Sequence, residues 1–141
     1  MCAGLMFQKS DGTLFKVYFP IPMVRIPFVT KEGQLLEGIW GRRNKDEFQN
    51  ENIPVSGWAR IESLKSGKWD KYNPEKVYIP AKSYMEKDHE RNSHWFDVDE
   101  KTNLIGIKLT TKEHNIIYMA TRPTPKEFSH IHDRWVLFSK V

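Results

Sequence analysis

Apolar positions in this chain fall mostly in short alternating runs broken by turn residues, which is the pattern of strands. Residues 5–8 and 13–19 flank Lys9-Ser10-Asp11-Gly12, and an Asp-Gly pair between apolar runs predicts a hairpin. Phe15, Val17 and Phe19 share one face of the second run, with Lys16 on the other. Pro20 and Pro22 then bar a regular ladder and predict a bend. Residues 23–30 and 34–40 predict a second hairpin around Lys31-Glu32-Gly33, and 44–52 read as polar loop. In 53–69, Trp58, Ile61 and Leu64 recur at helical spacing, predicting a short helix that Gly67 ends. Residues 68–74 read as loop, and 76–87 as strand, turn at Pro80, then a second strand to Glu86. A charged turn (88–93), a strand (94–98), a turn (99–103) and a strand (104–110) follow. Residues 115–121 are strongly β-forming, and 124–128 form a helical turn started by Pro125 before the closing stretch 129–141. The expected fold class is α+β. It is a single β-rich domain over residues 1–141, with mainly antiparallel strands in a barrel-like sheet and a few short helices.

Length and composition narrow the picture without deciding it. A chain of 141 residues buries a real core without staples, and 39% hydrophobic with 28% charged residues is ordinary for a globular domain. An aromatic share of 13%, with five tryptophans, leaves aromatics for a binding face. The net charge of +4 is compatible with a polyanionic partner but does not require one. One cysteine excludes a disulfide framework and a thiolate-rich zinc site. No apolar run approaches the ~20 residues of a membrane span. Residues 1–7 lack the build of a secretory signal, so a cytoplasmic monomer is expected.

Candidate chemistry starts at Cys2, which becomes the N-terminus if Met1 is removed. It would then carry an α-amine and a thiol on adjacent carbons, a pair that closes an aldehyde to a thiazolidine. The amine's reference pKa is about 7.7–8.0 against about 10.4 for lysine, so near neutrality it offers roughly a few hundredfold more free base than each of the fifteen lysines. In Ser129-His130-Ile131-His132-Asp133-Arg134-Trp135, an extended backbone would set His130, His132 and Arg134 on one face. Such a face suits an anion and an acid–base step. No nearby carboxylate or cysteine completes a metal set, so no metal or cofactor is expected. Glu86 ends an apolar stretch, where partial burial would raise its pKa toward a proton-transfer role, but for Glu86 and Glu62 alike spacing alone favours a surface ion pair.

Five stretches in order carry a resemblance: Met1-Cys2-Ala3-Gly4, Gly38-Ile39-Trp40-Gly41, Ala59-Arg60-Ile61-Glu62, Ile79-Pro80-Ala81 through Tyr84-Met85-Glu86, and Ile131-His132-Asp133-Arg134. The chain resembles the SRAP (SOS-response-associated peptidase) domain family, the abasic-site-sensing proteins, over nearly its whole length. That family shows Met-Cys-Gly-Arg, Trp-Gly-Leu, Asn-Ala-Arg-Ala-Glu, Ile-Pro-Ala with a downstream Tyr-Glu-Trp, and Ile-His-Asp-Arg-Met-Pro. The resemblance implies that an exposed Cys2 crosslinks to the ring-opened aldehyde of an abasic site in single-stranded DNA. It implies that Glu86 and His132 handle protons in ring opening and imine formation. Arg60 and Arg134 would grip flanking phosphates, and Trp40, with Arg42 and Arg43, would lie near the DNA channel.

The departures are equally specific. Trp58 stands where the family keeps an asparagine, and an indole cannot accept a hydrogen bond as an amide does. Ala3 and Gly4 replace the family's glycine and arginine, and Trp135-Val136 its Met-Pro, in what reads as a compact, divergent version. Two other readings stay open. One is a single-stranded-DNA-binding module that has lost the covalent step through Trp58 and the altered start. The other is a cysteine-type self-processing peptidase with Cys2 as nucleophile and His132 as base.

Overall fold

Both predicted hairpins form in the computed structural model, which describes residues 2–140. Met1, expected to leave the terminus, and Val141, expected in the closing stretch, lie outside the described residues. Strands β1 (Cys2–Gln8), β2 (Leu14–Tyr18), β3 (Arg25–Val29) and β4 (Leu35–Trp40) come first. A short β5 (Trp58–Arg60) runs directly into the helix α1 (Ile61–Lys65), followed by a 3-10 turn at Asp70–Tyr72. Then come β6 (Glu75–Ile79), β7 (Ser83–Lys87), β8 (Ser93–Asp97), β9 (Thr102–Thr110) and β10 (Asn115–Pro123). A second 3-10 turn (Lys126–Phe128), β11 (Arg134–Val136) and β12 (Phe138–Lys140) complete the order.

These strands make two sheets. The first is antiparallel, in the order β2-β1-β7-β8. In the second, β10, β4, β3, β6 and β9 pair in turn and β9 returns to β10, closing a five-stranded barrel. Strands β5 and β11 extend β10 beyond the barrel, and β12 lies on β9. Pairing is antiparallel except where β10 meets β4 and β5, both parallel to it. With helix among the described residues limited to one five-residue segment and two 3-10 turns, the domain is β-rich, and the expected α+β label overstates its helices.

Strand β10 reads Ile-Ile-Tyr-Met-Ala without alternation because both of its faces are covered. Ile117 and Met119 enter the larger core with Leu5, Phe7, Ile26, Phe28, Ile79 and Trp135. Ile116 and Tyr118 enter a second cluster with Ile39, Leu109 and Trp69.

The helix expected over 53–69 is much shorter. Trp58 belongs to β5, where Met119, Ala120 and Thr121 are its strand's partners, and the three-residue spacing of Trp58 and Ile61 spans a strand–helix junction. Gly67 does end α1, at φ +84. The amide of Gly67 donates to Leu64 and that of Lys68 to Ser63, the double closure of a Schellman end. The expected loop 68–74 holds the first 3-10 turn. The stretch 129–133 is not extended: turn bonds from Ser129 to Lys126 and from Ile131 to Phe128 coil it, and Ile131 is buried. His130 and His132 therefore do not line one strand face with Arg134.

Residues 41–57 leave β4 and return as β5 on the same edge of β10. Gly41 starts this excursion at φ +60, where a Cβ would collide with the Ser56 carbonyl oxygen and lie 2.7 Å from the Gly57 Cα. Arg42 then organises it from within. Its Nε donates to the carbonyls of Asn44 and Glu47, and its two terminal nitrogens donate to those of Lys45, Glu51 and Ile53.

Candidate functional site

Strand β1 places Cys2 opposite Glu86 on β7, with a bulge in the ladder between Cys2 and Gly4. Both residues are fully buried. Burial pushes the Cys2 thiol well above its ordinary range, the Glu86 carboxylate adds to the effect, and Sγ donates to the Gly4 carbonyl at 3.2 Å. The thiol is thus held protonated near neutral pH, and the carboxylate beside it does not activate it as a standing thiolate. Burial also raises Glu86, to about 7. A carboxyl at that value gives and takes protons near neutrality.

Trp58 reaches this pair from β5. Its indole N–H donates to the Cys2 carbonyl at 2.7 Å, and its ring packs on Phe19 with centroids 4.8 Å apart. Phe19 in turn donates its amide to the Ala3 carbonyl. Nothing in the local pattern of Trp58 announces this role, because its partner is 56 residues away.

His132 stands against the turn that leaves β7. Its ring lies over His89, with centroids 6.4 Å apart and planes within 10° of parallel. The Arg134 amide donates to His132 Nδ1 at 3.2 Å, so the neutral ring carries its proton on Nε2. Burial lowers the His132 pKa, with His89 adding to that, and the ring is neutral near pH 7 and free to act as a base. The same turn holds a pair that the sequence reading missed: Asp88 Oδ2 lies 2.8 Å from His94 Nε2 and is lowered to about 2, chiefly by that bond. His94 is the cross-strand partner of Glu86, so Cys2, Glu86 and His94 form one row across the sheet.

Four residues expected beside a DNA strand are committed elsewhere. Trp40 is fully buried, donates to the Gly57 carbonyl and meets Phe19 edge-on, so no base can stack on it. Arg42 is buried and its donors go to loop carbonyls. Arg43 forms a two-oxygen contact with Glu47, donates to the carbonyls of Phe19, Trp40 and Gly41, and lies on the Phe19 ring. Arg134 is buried, paired with both oxygens of Glu62 at 2.7 and 2.8 Å and bonded to the Thr121 carbonyl. Its guanidinium ties α1 to β10 and is not offered to phosphate. Glu62 is accordingly lowered to about 2, mainly by the Arg134 bonds. Arg60 differs from these, being exposed at the end of β5. Cys2, for its part, is buried where the resemblance implied exposure.

The Glu86 shift carries a stability consequence. Its folded pKa of about 7 lies above its ordinary 4.5, so from about 4.5 upward the unfolded chain releases a proton that the folded chain keeps. Stability should fall as pH rises through that window and level off above it, by about 3 kcal/mol in all. Glu86→Gln should remove the trend. Thermal unfolding at about pH 5 and about pH 8 reads it directly, and parallel profiles for the two proteins would sink the assignment.

Among the described residues, no group of three or more His, Cys, Asp or Glu is arranged to hold a metal ion, and no helix is long and apolar enough to cross a membrane. Comparison with protein-family models, with curated proteins and with solved structures yielded no match.

Proposed function

We propose that this chain is an SRAP-type domain that captures the aldehyde of abasic sites in single-stranded DNA through Cys2, made the N-terminal residue by loss of Met1. The observation that carries the reading is the direct pairing of Cys2 with a buried Glu86 held near pH 7. The α-amine attacks C1′ of the ring-opened sugar, forming a C–N bond and a carbinolamine. Protonated Glu86 delivers a proton to the departing hydroxyl, which leaves as water and gives the protonated imine, with Glu86 left as the carboxylate. The thiol sulfur then adds to the iminium carbon and its proton passes to the Glu86 carboxylate, leaving a neutral thiazolidine and Glu86 protonated again. A raised thiol pKa suits this order, with the amine first and the thiol second. It weighs against the self-processing peptidase, which needs a thiolate at the outset. Neutral His132, which lies against the turn beyond β7, is assigned to proton transfer in ring opening, and Arg60 to a flanking phosphate. A cytoplasmic site of action follows from the substrate, with DNA in the nucleoid if the host is bacterial.

Intact-mass measurement after incubation with an abasic single-stranded oligonucleotide tests the reading. The expected product has the summed mass of protein lacking Met1 and DNA, less one water. An equal yield with an intact strand, or no adduct from protein shown to lack Met1, would overturn it.

A further inference from the structure

We infer that Trp58 is a positioning residue for the Cys2 aminothiol: its indole N–H holds the Cys2 carbonyl and thereby sets the direction from which the α-amine meets an aldehyde. The inference rests on the aldehyde-capture reading above and concerns the residue that departs most from the family's pattern. Three observations carry it. The bond is 2.7 Å, at the short end for N–H···O, and joins β5 to the first residue of β1. The donor is itself clamped: the Trp58 amide donates to Ser56 Oγ at 3.0 Å, the Ser56 hydroxyl donates to the Trp58 carbonyl, and the indole packs on Phe19. Finally, Phe19 donates to the Ala3 carbonyl, so two consecutive peptide units of β1 are gripped at the point where the bulge interrupts the ladder with β7.

The physical need is specific to a chain end. Once Met1 is gone, no preceding peptide orients the Cys2 nitrogen, and the plane of the peptide that follows is what remains to fix it. A hydrogen bond to that carbonyl fixes the peptide plane, and the thiol's bond to the Gly4 carbonyl restrains rotation about the Cα–C axis, so the amine and the Cβ–Sγ arm are set about the same Cα. Both steps of thiazolidine closure then start from a set geometry, where otherwise the orienting entropy is lost during the reaction. An indole presents a donor and no acceptor, so the contact has one polarity. A shorter asparagine amide at position 58 would not reach from the same backbone. Trp58→Asn should therefore slow the chemistry, whereas Trp58 regarded as a defect would predict recovery.

The test uses protein whose intact mass shows loss of Met1, with two probes: glycolaldehyde, which forms the same thiazolidine with loss of one water, and an abasic single-stranded oligonucleotide. Trp58→Phe keeps an aromatic ring against Phe19 and loses the N–H together with the five-membered ring that carries it. The expected result is a rate about tenfold lower for Trp58→Phe and Trp58→Asn with both probes, the loss of one well-aligned bond. Affinity for an intact strand and the melting temperature should stay near wild type. Rates equal to wild type in Trp58→Phe overturn the inference. Reaction with glycolaldehyde alone, still dependent on Trp58, supports it while removing DNA as the target. In the wild type, glycolaldehyde should also shift the Trp58 indole N–H resonance; an unmoved resonance counts against it even if the variants fold poorly.

Discussion

Cys2→Ser should abolish the stable adduct with abasic DNA while leaving a crosslink that borohydride can trap. Serine keeps the α-amine next to Glu86, so the carbinolamine still forms and loses water to give the imine. Its hydroxyl is a far weaker nucleophile than a thiol, and the ring it would close reopens easily. The expected readout is loss of essentially all heat-stable crosslink, with a reduced, borohydride-dependent band retained. Cys2→Ala should give the same pattern, because it also spares the amine. A heat-stable crosslink in either variant would show that another nucleophile makes the bond, and the fifteen lysines would then be the place to look. The buried, protonated thiol gives the experiment its edge, since sulfur is needed after the imine and not before it.

Arg42→Ala should be the most destabilising single change away from the reactive pair, by about 3–5 kcal/mol. The guanidinium is buried, and its donors serve carbonyls of Asn44, Lys45, Glu47, Glu51 and Ile53. Removing it leaves those acceptors without their charged donor and opens a void behind them. Urea unfolding should show the loss in the midpoint, and amide exchange should concentrate it in 44–53. Arg42→Lys should recover little, because one ammonium cannot reach acceptors spread around a planar fork. A midpoint within about 1 kcal/mol of wild type for Arg42→Ala would show that water replaces the guanidinium without cost.

The two arginines after Gly41 show where reading from sequence stops. A basic pair after an aromatic looks the same whether it faces phosphate or folds back over its own loop. The difference lies in carbonyls brought up by chain that has no pattern of its own. For Arg43 the i+4 partner Glu47 was a usable sign, and the contact is at 2.9 Å. For Arg42 there was none. Hairpins around Asp11-Gly12 and Gly33 were legible because their turn chemistry is local. Barrel closure was not, since it depends on β10 accepting β4 in parallel on the edge opposite β9, a non-local choice. Likewise Glu86 could be suspected of burial from its apolar neighbours, but its pairing with Cys2 is a matter of register. The imagined face of His130, His132 and Arg134 failed because Pro125 seeds turns that coil the segment.

Strand β1 is an interior strand, flanked by β2 on one side and β7 on the other. A DNA strand joined to Cys2 would therefore hang from the middle of a sheet and not from a loose tail. Tension along β1, such as a translocating motor applies, would load both rows of hydrogen bonds in shear, where they share the force and do not open one at a time. The attachment should withstand hauling, and detaching the protein would call for reversal of the chemistry at Cys2 or dismantling of the whole sheet.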